Sequence, residues 1–346
     1  GLSNEFPMIE LPAIDLMAWP QKIFGWAPHV SQMLQNRMFE MLIHSYSRSV
    51  SNYLTQHSAD LYYTRSFKLL VKIFSSSPRL APRLYFEGHQ IPWEAVHHPE
   101  KLKILNRIGG LITITQSLKD EYSRYGIEPQ KIIVAPDGVN IKRFGKIPDQ
   151  KIARQALQVP DDHFLIGYVG HLYPWKGIDP LVQSMLYLSP KYHLILVGGL
   201  PADIRRVQKQ VAKMKIPRTT LSGYLPPTEI LPYLAAVDVL VLPTSGKEKM
   251  GHYYTSPLKL FEYMAVGRPI VASDLPSTRE ILQHQQNAYL VRADDPSSLA
   301  QGIRWVSEHP ELAQSLAEQA RLEVQAYSWE NRAQKIIDFM EREKDC

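Results

Sequence analysis

Residues 253–274, Tyr-Tyr-Thr-Ser-Pro-Leu-Lys-Leu-Phe-Glu-Tyr-Met-Ala-Val-Gly-Arg-Pro-Ile-Val-Ala-Ser-Asp, bring together residue types that could do chemistry at a spacing that would let them do it. Ser256 is a suitable N-cap, and Pro257 suits a first helical position, where its missing N–H costs nothing. The pattern predicts a helix from Pro257 to about Val266, stopped by Gly267 and kept from restarting by Pro269. A helix N-terminus leaves its first N–H groups unpaired and carries partial positive charge. Leu258 and Lys259 therefore offer backbone donors to an anion, most naturally a phosphate. Glu262 follows within a turn and a half, and a carboxylate there can accept two hydrogen bonds from a diol. Phosphate at one end and a diol grip beside it describe a sugar nucleotide. Read alone, an ordinary capped helix on a sheet fits the segment equally well.

Three further segments bear on that choice. Ile166-Gly-Tyr-Val-Gly170-His171-Leu-Tyr-Pro-Trp-Lys176-Gly177 reads as a strand running into a glycine-containing loop with a lysine. Gly170 lets backbone approach a ligand closely, and Lys176 supplies a point charge for phosphate. The segment is neither a Walker loop nor a dinucleotide-binding GxGxxG. Val197-Gly198-Gly199 and Gly223-Tyr224 are two more strand-to-glycine turns. A tight turn explains any one of these more simply; several at one edge of one sheet favour a ligand cleft.

The elements that must position these residues alternate between strand and helix. In the second half, strands are expected at Phe164–Val169, His193–Val197, Thr219–Leu221, Val237–Leu242, Pro269–Ala272 and Ala288–Val291. Helices fall between and after them, at Pro180–Leu188, Ala202–Lys213, Thr228–Ala236, Pro257–Val266, Ser277–Gln283, Pro296–Ser307, Pro310–Gln325 and Trp329–Arg342. Nearly continuous apolar strands suit a parallel sheet buried on both faces. In the first half, a strand is expected near Met8–Leu11 and a helix over Val30–Gln56. Strands Leu61–Tyr63, Arg83–Phe86, Gly110–Thr113 and Lys131–Ala135 alternate with helices Phe67–Phe74, Glu100–Arg107 and Ser117–Tyr125. The fold class is therefore α/β with two doubly wound parallel units, and a ligand cleft is expected at the C-terminal ends of the strands. The expected domains are 1–150, 151–328 and a final helix, 329–346, crossing back to the first.

Composition narrows the function classes. The chain has 346 residues, a single Cys at its C-terminus, and no apolar run long enough to cross a bilayer. One Cys cannot form an internal disulfide, which fits a reducing, cytoplasmic setting. Residues 1–150 hold 17 Lys/Arg against 13 Asp/Glu, and the remainder is nearly balanced. This excess is compatible with an acidic acceptor or with peripheral contact at the inner face of a membrane, although scattered solvated charge explains it more simply. No nucleic-acid motif or concentrated basic stripe is present.

The order of segments resembles the retaining GT-B glycosyltransferases of family 4. The pieces are Pro136-Asp-Gly-Val-Asn140, Gly170…Lys176-Gly177, Val197-Gly-Gly199, Gly223-Tyr224, the stretch Ser256–Asp274 and Ser328-Trp329-Glu330; together they span roughly residues 60–340. By this resemblance Lys176 matches the lysine that binds the donor diphosphate, and Glu262 the second glutamate of an E-x7-E pattern, which holds the ribose. Ser256, Pro257, Leu258 and Lys259 fall where backbone meets the diphosphate or the transferred sugar, with Gly170, His171, Gly198, Gly199, Gly223 and Tyr224 completing the donor site. His89, in Tyr85-Phe-Glu-Gly-His-Gln, resembles the histidine that faces the transferred sugar.

Three departures stand out. His171 occupies the place of an arginine, and Tyr254 that of the first glutamate, for which the loop residue Glu248 is a weak substitute. The opening strand and glycine-rich loop have no counterpart, so the N-terminal domain is expected to lack its first unit. The resemblance implies a hexosyl transfer from a UDP- or GDP-sugar to an acceptor hydroxyl, with retention and in glycolipid or polysaccharide synthesis. His89 and Lys176 would act in catalysis, with no cofactor and no metal. Partners would be the nucleotide-sugar and a carbohydrate or lipid-linked acceptor, not nucleic acid. The alternative is a catalytically impaired nucleotide-sugar-binding or scaffold protein of the same fold.

Overall fold

The computed structural model describes residues 32–342 except 94, 95, 97, 160, 161 and 217. The strand expected at Met8–Leu11 lies outside the described residues. The described chain forms two compact units: the first from residues 32–112 and 122–133, the second from 113–121 and 134–341.

In the first unit α1 (Gln32–Gln56) packs on α2 (Phe67–Ser76), beside a sheet whose strands lie in sequence order: β1 (Tyr62–Thr64), β2 (Leu84–Gly88), β3 (Gly110–Thr113) and β4 (Ile132–Val134). Ser66 caps α2, its hydroxyl accepting the Leu69 N–H at 3.3 Å, so the helix starts where the sequence predicts. Leu70, Ile73, Leu84, Phe86, Leu111 and Ile112 are buried, and Leu111 and Ile112, adjacent in β3, point to opposite faces of the sheet. Burying each such side chain contributes about 1.5–3 kcal/mol. Two elements differ from expectation. β2 runs on through Glu87 and Gly88, and all five of its residues are buried. The expected helix Glu100–Arg107 is a 3₁₀ segment, Pro99–Asn106, opened by its proline.

The second unit carries a six-stranded sheet of β5 (Phe164–Val169), β6 (Tyr192–Val197), β7 (Thr219–Gly223), β8 (Val239–Leu242), β9 (Ile270–Ser273) and β10 (Tyr289–Val291), in the order β10-β9-β8-β5-β6-β7. The strand pairs are parallel. Alternation along β5 sends Leu165 and Val169 into one apolar layer with Phe261 and Met264, and Ile166 and Tyr168 into the other with Leu181 and Ile303. Both faces are thus covered, as continuous apolar strands require. The helices that cover them include α3 (Ile178–Ser184), α4 (Pro201–Lys213), α5 (Leu231–Ala236), α6 (Leu258–Val266), α7 (Pro296–Glu308) and α8 (Pro310–Glu323), and α9 (Trp329–Arg342) ends the described chain. The helix expected at Ser277–Gln283 shrinks to Pro276–Arg279. The buried Asn287 takes the Gln283 N–H and donates to the Ile281 carbonyl, competing for the groups that would extend the helix.

Candidate functional site

Chain order reverses in the second sheet between β5 and β8, which pair side by side although residues 170–238 separate them. Such a switch point opens a crevice at the C-terminal ends of the strands. Gly170 leaves β5 there, and the segment after β8 arrives beside it. Ser245 N–H donates to the Trp175 carbonyl at 3.0 Å, joining the two segments. Glycine is needed where backbone meets backbone. Gly177 has φ 74°, and a Cβ on it would stand 1.7 Å from the Pro243 carbonyl oxygen. At Gly198 (φ 109°) a Cβ would stand 2.4 Å from the Gly170 oxygen.

Helix α6 begins one residue later than expected. Pro257 is the N-cap, no side chain caps the helix, and Gly267 ends it in the left-handed conformation. Ser256 is buried and serves differently: its hydroxyl accepts the Asp137 N–H at 2.9 Å. With the hydroxyl committed to another strand end, the first turn is left bare. Leu260 N–H reaches the Pro257 carbonyl, and Pro257 has no N–H to offer. The N–H groups of Leu258 and Lys259 have no acceptor among the described residues. The helix is aimed by Tyr263, whose buried hydroxyl accepts the Val169 N–H at 2.8 Å, at the last residue of β5. Burial and the nearby Tyr168 raise the Tyr263 pKa well above the usual phenol value, so it remains a neutral hydroxyl.

Together these elements enclose a cavity of about 410 Å³. Gly170, His171, Lys176, Gly198, Gly199, Tyr224, Ser256, Pro257, Leu258 and Lys259, ten of the residues singled out from the sequence, line it. Gly223 and Glu262 do not; Gly223 closes β7, and Glu262 stands behind Lys259, whose ammonium it holds at 2.7 Å.

Lys176 has a different environment. Its ammonium lies 3.8 Å from the centre of the Trp175 ring and faces no carboxylate among the described residues. Burial first, and then Lys259, lowers its pKa to about 8. A partly desolvated cation next to a second cation and two free N–H groups is a site for an anion with more than one charge.

The departures have structural counterparts. His171 is stacked flat on Tyr173, with centroids 4.9 Å apart. Tyr254 is buried at the end of a π-helical turn, Met250–Tyr254, with its hydroxyl donating to Glu121. Glu248 is exposed and absent from the cavity wall.

His89 belongs to the first unit and sits just past the end of β2. Its Nδ1 faces the Arg65 guanidinium at 3.1 Å and its Nε2 faces Glu87 at 2.5 Å. Arginine only donates, so Nδ1 is the acceptor and the ring proton sits on Nε2, donated to the carboxylate. Glu87 is 5% exposed and also receives the Tyr63 hydroxyl. Sequence reading missed Glu87, Arg65 and Tyr63. The available signal was Glu-Gly-His at i, i+2, which places both side chains on one face at a strand end. It also missed Tyr168, Thr255, Leu225, Pro227, Ile230 and Leu242 on the cavity wall, apolar or strand-borne residues indistinguishable in sequence from core.

Residues 163–309 match the family described as Glycosyl transferases group 1. A D-inositol 3-phosphate glycosyltransferase of Geodermatophilus obscurus is 30% identical over 228 residues, covering 62% of this chain and 48% of that protein. The chain thus spans about half the length of that relative. HepE of Anabaena, solved in complex with UDP, superimposes with a TM-score of 0.74 at 22% identity, covering 86% of this chain and 82% of HepE. Sucrose-phosphate synthase of Thermosynechococcus elongatus gives 0.72 at 22% identity, covering 91% and 81%. No helix among the described residues is long and apolar enough to cross a membrane. The chain has the α/β GT-B fold with two parallel sheets, and its residues 163–309 are similar to the family Glycosyl transferases group 1.

Proposed function

We propose that this chain transfers a hexosyl unit from a nucleoside-diphosphate sugar to an acceptor hydroxyl, with retention of anomeric configuration. The observation that carries the reading is Lys176: an ammonium with its pKa lowered to about 8, without a counterion among the described residues, in the cavity onto which the free N–H groups of α6 open. A diphosphate supplies the missing charge. HepE has been solved with UDP, with UDP-glucose and with UDP and glucose, which supports a UDP-sugar as donor. In this reading Tyr224, 71% exposed at the cavity rim, offers a face to the base. Ribose binding breaks the Lys259–Glu262 pair and frees Glu262 for the diol. His89, held by Glu87 and Arg65, orients the transferred sugar.

Catalysis is positioning together with stabilisation of the departing diphosphate by Lys176 and the start of α6, with the leaving phosphate taking the acceptor's proton. No metal is required, and chelator leaves the rate unchanged. The acceptor is a carbohydrate or lipid-linked hydroxyl in glycolipid or polysaccharide synthesis, at the cytoplasmic side of the membrane.

The test is incubation with UDP- and GDP-sugars and a panel of such acceptors, with the anomeric configuration of the product read by NMR. A retained glycosidic product supports the reading; an inverted product removes the retaining mechanism. A second reading, a nucleotide-sugar-binding protein without turnover, is favoured by one observation. Tyr254, which the resemblance sets at the place of the sugar-gripping glutamate, is buried, and neither it nor Glu248 lies on the cavity wall. Saturable donor binding with neither transfer nor hydrolysis would establish it.

A further inference from the structure

Helix α6 opens with a charge where helix electrostatics disfavour it. Lys259 is its second residue, and the positive end of a helix dipole favours an acid there over a cation. Burial and then Lys259 lower the pKa of Lys176, so the Lys259 ammonium also faces a like charge across the cavity. One group offsets both effects. Glu262, three residues on and on the same face of the helix, holds the Lys259 ammonium at 2.7 Å. Among the described residues neither side chain has another hydrogen-bond partner.

The pair is also oriented. Lys259 lines the cavity and Glu262 does not, so the ammonium screens the carboxylate from the space in which a diol would meet it. The two side chains are 29% and 18% exposed, and separating them leaves two poorly solvated ions unless each finds a new partner. A diol entering alone offers the ammonium no counter-charge. A diphosphate does offer one, and the carboxylate it releases then meets the diol. Charge balance agrees. The diphosphate of a sugar nucleotide carries two negative charges, and Lys176 balances one of them. His171, at the place that the resemblance gives to an arginine, is stacked on Tyr173. Lys259 is the other lysine or arginine on the cavity wall among the described residues.

We propose that the Lys259 side chain is the second cation of the diphosphate site, and that its exchange of Glu262 for phosphate oxygen makes the site select the intact nucleoside diphosphate over its nucleoside. The ammonium turns from carboxylate to phosphate, and the carboxylate turns to the ribose. Each movement removes the cost of the other, so a ligand that completes only the ribose half binds weakly. The inference rests on the nucleotide-sugar reading above and adds to it a role for the Lys259 side chain and a coupling between the two ends of the ligand.

The test is calorimetric titration of UDP, uridine and 2′-deoxyuridine at pH 7 into the full chain, Lys259→Met, and Lys259→Met with Glu262→Gln, with thermal unfolding to show each variant folded. Expected is a reversal between the whole ligand and its half. Lys259→Met binds UDP about tenfold more weakly, having lost a bond between charged groups. The same variant binds uridine about fivefold more tightly, because no ion pair has to be broken to reach Glu262. Uridine is neutral, so a general loss of positive charge does not produce that gain. Adding Glu262→Gln abolishes it, and 2′-deoxyuridine, which has no diol, does not show it.

Two results would overturn the proposal while leaving the nucleotide reading in place. One is a UDP affinity unchanged by Lys259→Met. The other is uridine bound no more tightly by Lys259→Met than by a wild-type chain that binds UDP. A wild-type chain that binds no UDP removes the nucleotide reading and the proposal with it, and the wild-type titration alone tells that case from the other two.

Discussion

Lys176 is where the chemistry and the stability of this molecule pull in opposite directions. Its pKa falls from the ordinary lysine value to about 8 on folding, so the unfolded chain binds the proton more tightly. The charged form is therefore a penalty in the ligand-free native state. That penalty is fully present below pH 8 and is relieved as pH rises from about 8 towards 10.5. Replacing the ammonium with an isosteric apolar group should remove it. Lys176→Met is expected to raise ligand-free stability at pH 7 by about 2 kcal/mol in urea unfolding, while weakening UDP binding about 10- to 100-fold. Wild-type affinity should also depend on pH. A bound diphosphate raises the Lys176 pKa, so UDP binding is constant below pH 8 and falls about tenfold per unit above it. A flat profile from pH 7 to 9.5 would show that the ammonium does not meet the ligand. Side-chain identity at this position was legible from the lysine and glycine spacing. Its missing counterion was not, because a counterion is a property of neighbours that sequence order does not display.

At the scale of elements, the site depends on a helix that is not capped by its own sequence neighbour. Ser256 reads as an N-cap, and the structure spends its hydroxyl on Asp137 instead. The reading failed because capping residues are chosen by what lies within reach, and a contact across 119 residues carries no local signature. The consequence is a bare first turn, which is what an anion site needs. Tyr263 then fixes the helix against β5. Tyr263→Phe leaves the Val169 N–H without that acceptor and is expected to cost about 1–2 kcal/mol in thermal or urea unfolding, together with a several-fold weaker UDP affinity. The strand-end glycines have less latitude. Gly198→Ala should abolish UDP binding while secondary structure by circular dichroism persists, because the Cβ collides with the Gly170 carbonyl and pushes one cavity wall inward. The strands themselves were readable almost to the residue, since two-sided burial writes continuous apolar runs into β5, β6 and β8. Less readable was Glu87, one residue of a strand end whose buried carboxylate orders His89, Arg65 and Tyr63.

For the whole molecule, the α/β pattern and segment order made the GT-B fold legible before any coordinates. The catalytic outcome is less determined by them, because folds of this kind are scaffolds and function resides in sites. The second unit has its own core and its own cavity, the one proposed here for the nucleotide. UDP should then stabilise the chain against heat in proportion to its concentration over its Kd, by about 2.7 kcal/mol at a hundredfold excess.

The central claim is that a diphosphate occupies the space between Lys176 and the first turn of the Leu258–Val266 helix. Calorimetric titration of UDP into the wild-type chain and into Lys176→Ala at pH 7 addresses it most directly. The account predicts a single saturable site in the wild type and at least tenfold weaker binding in the variant. Equal affinity in the two proteins, or a folded wild-type chain that binds neither UDP nor GDP, would contradict it.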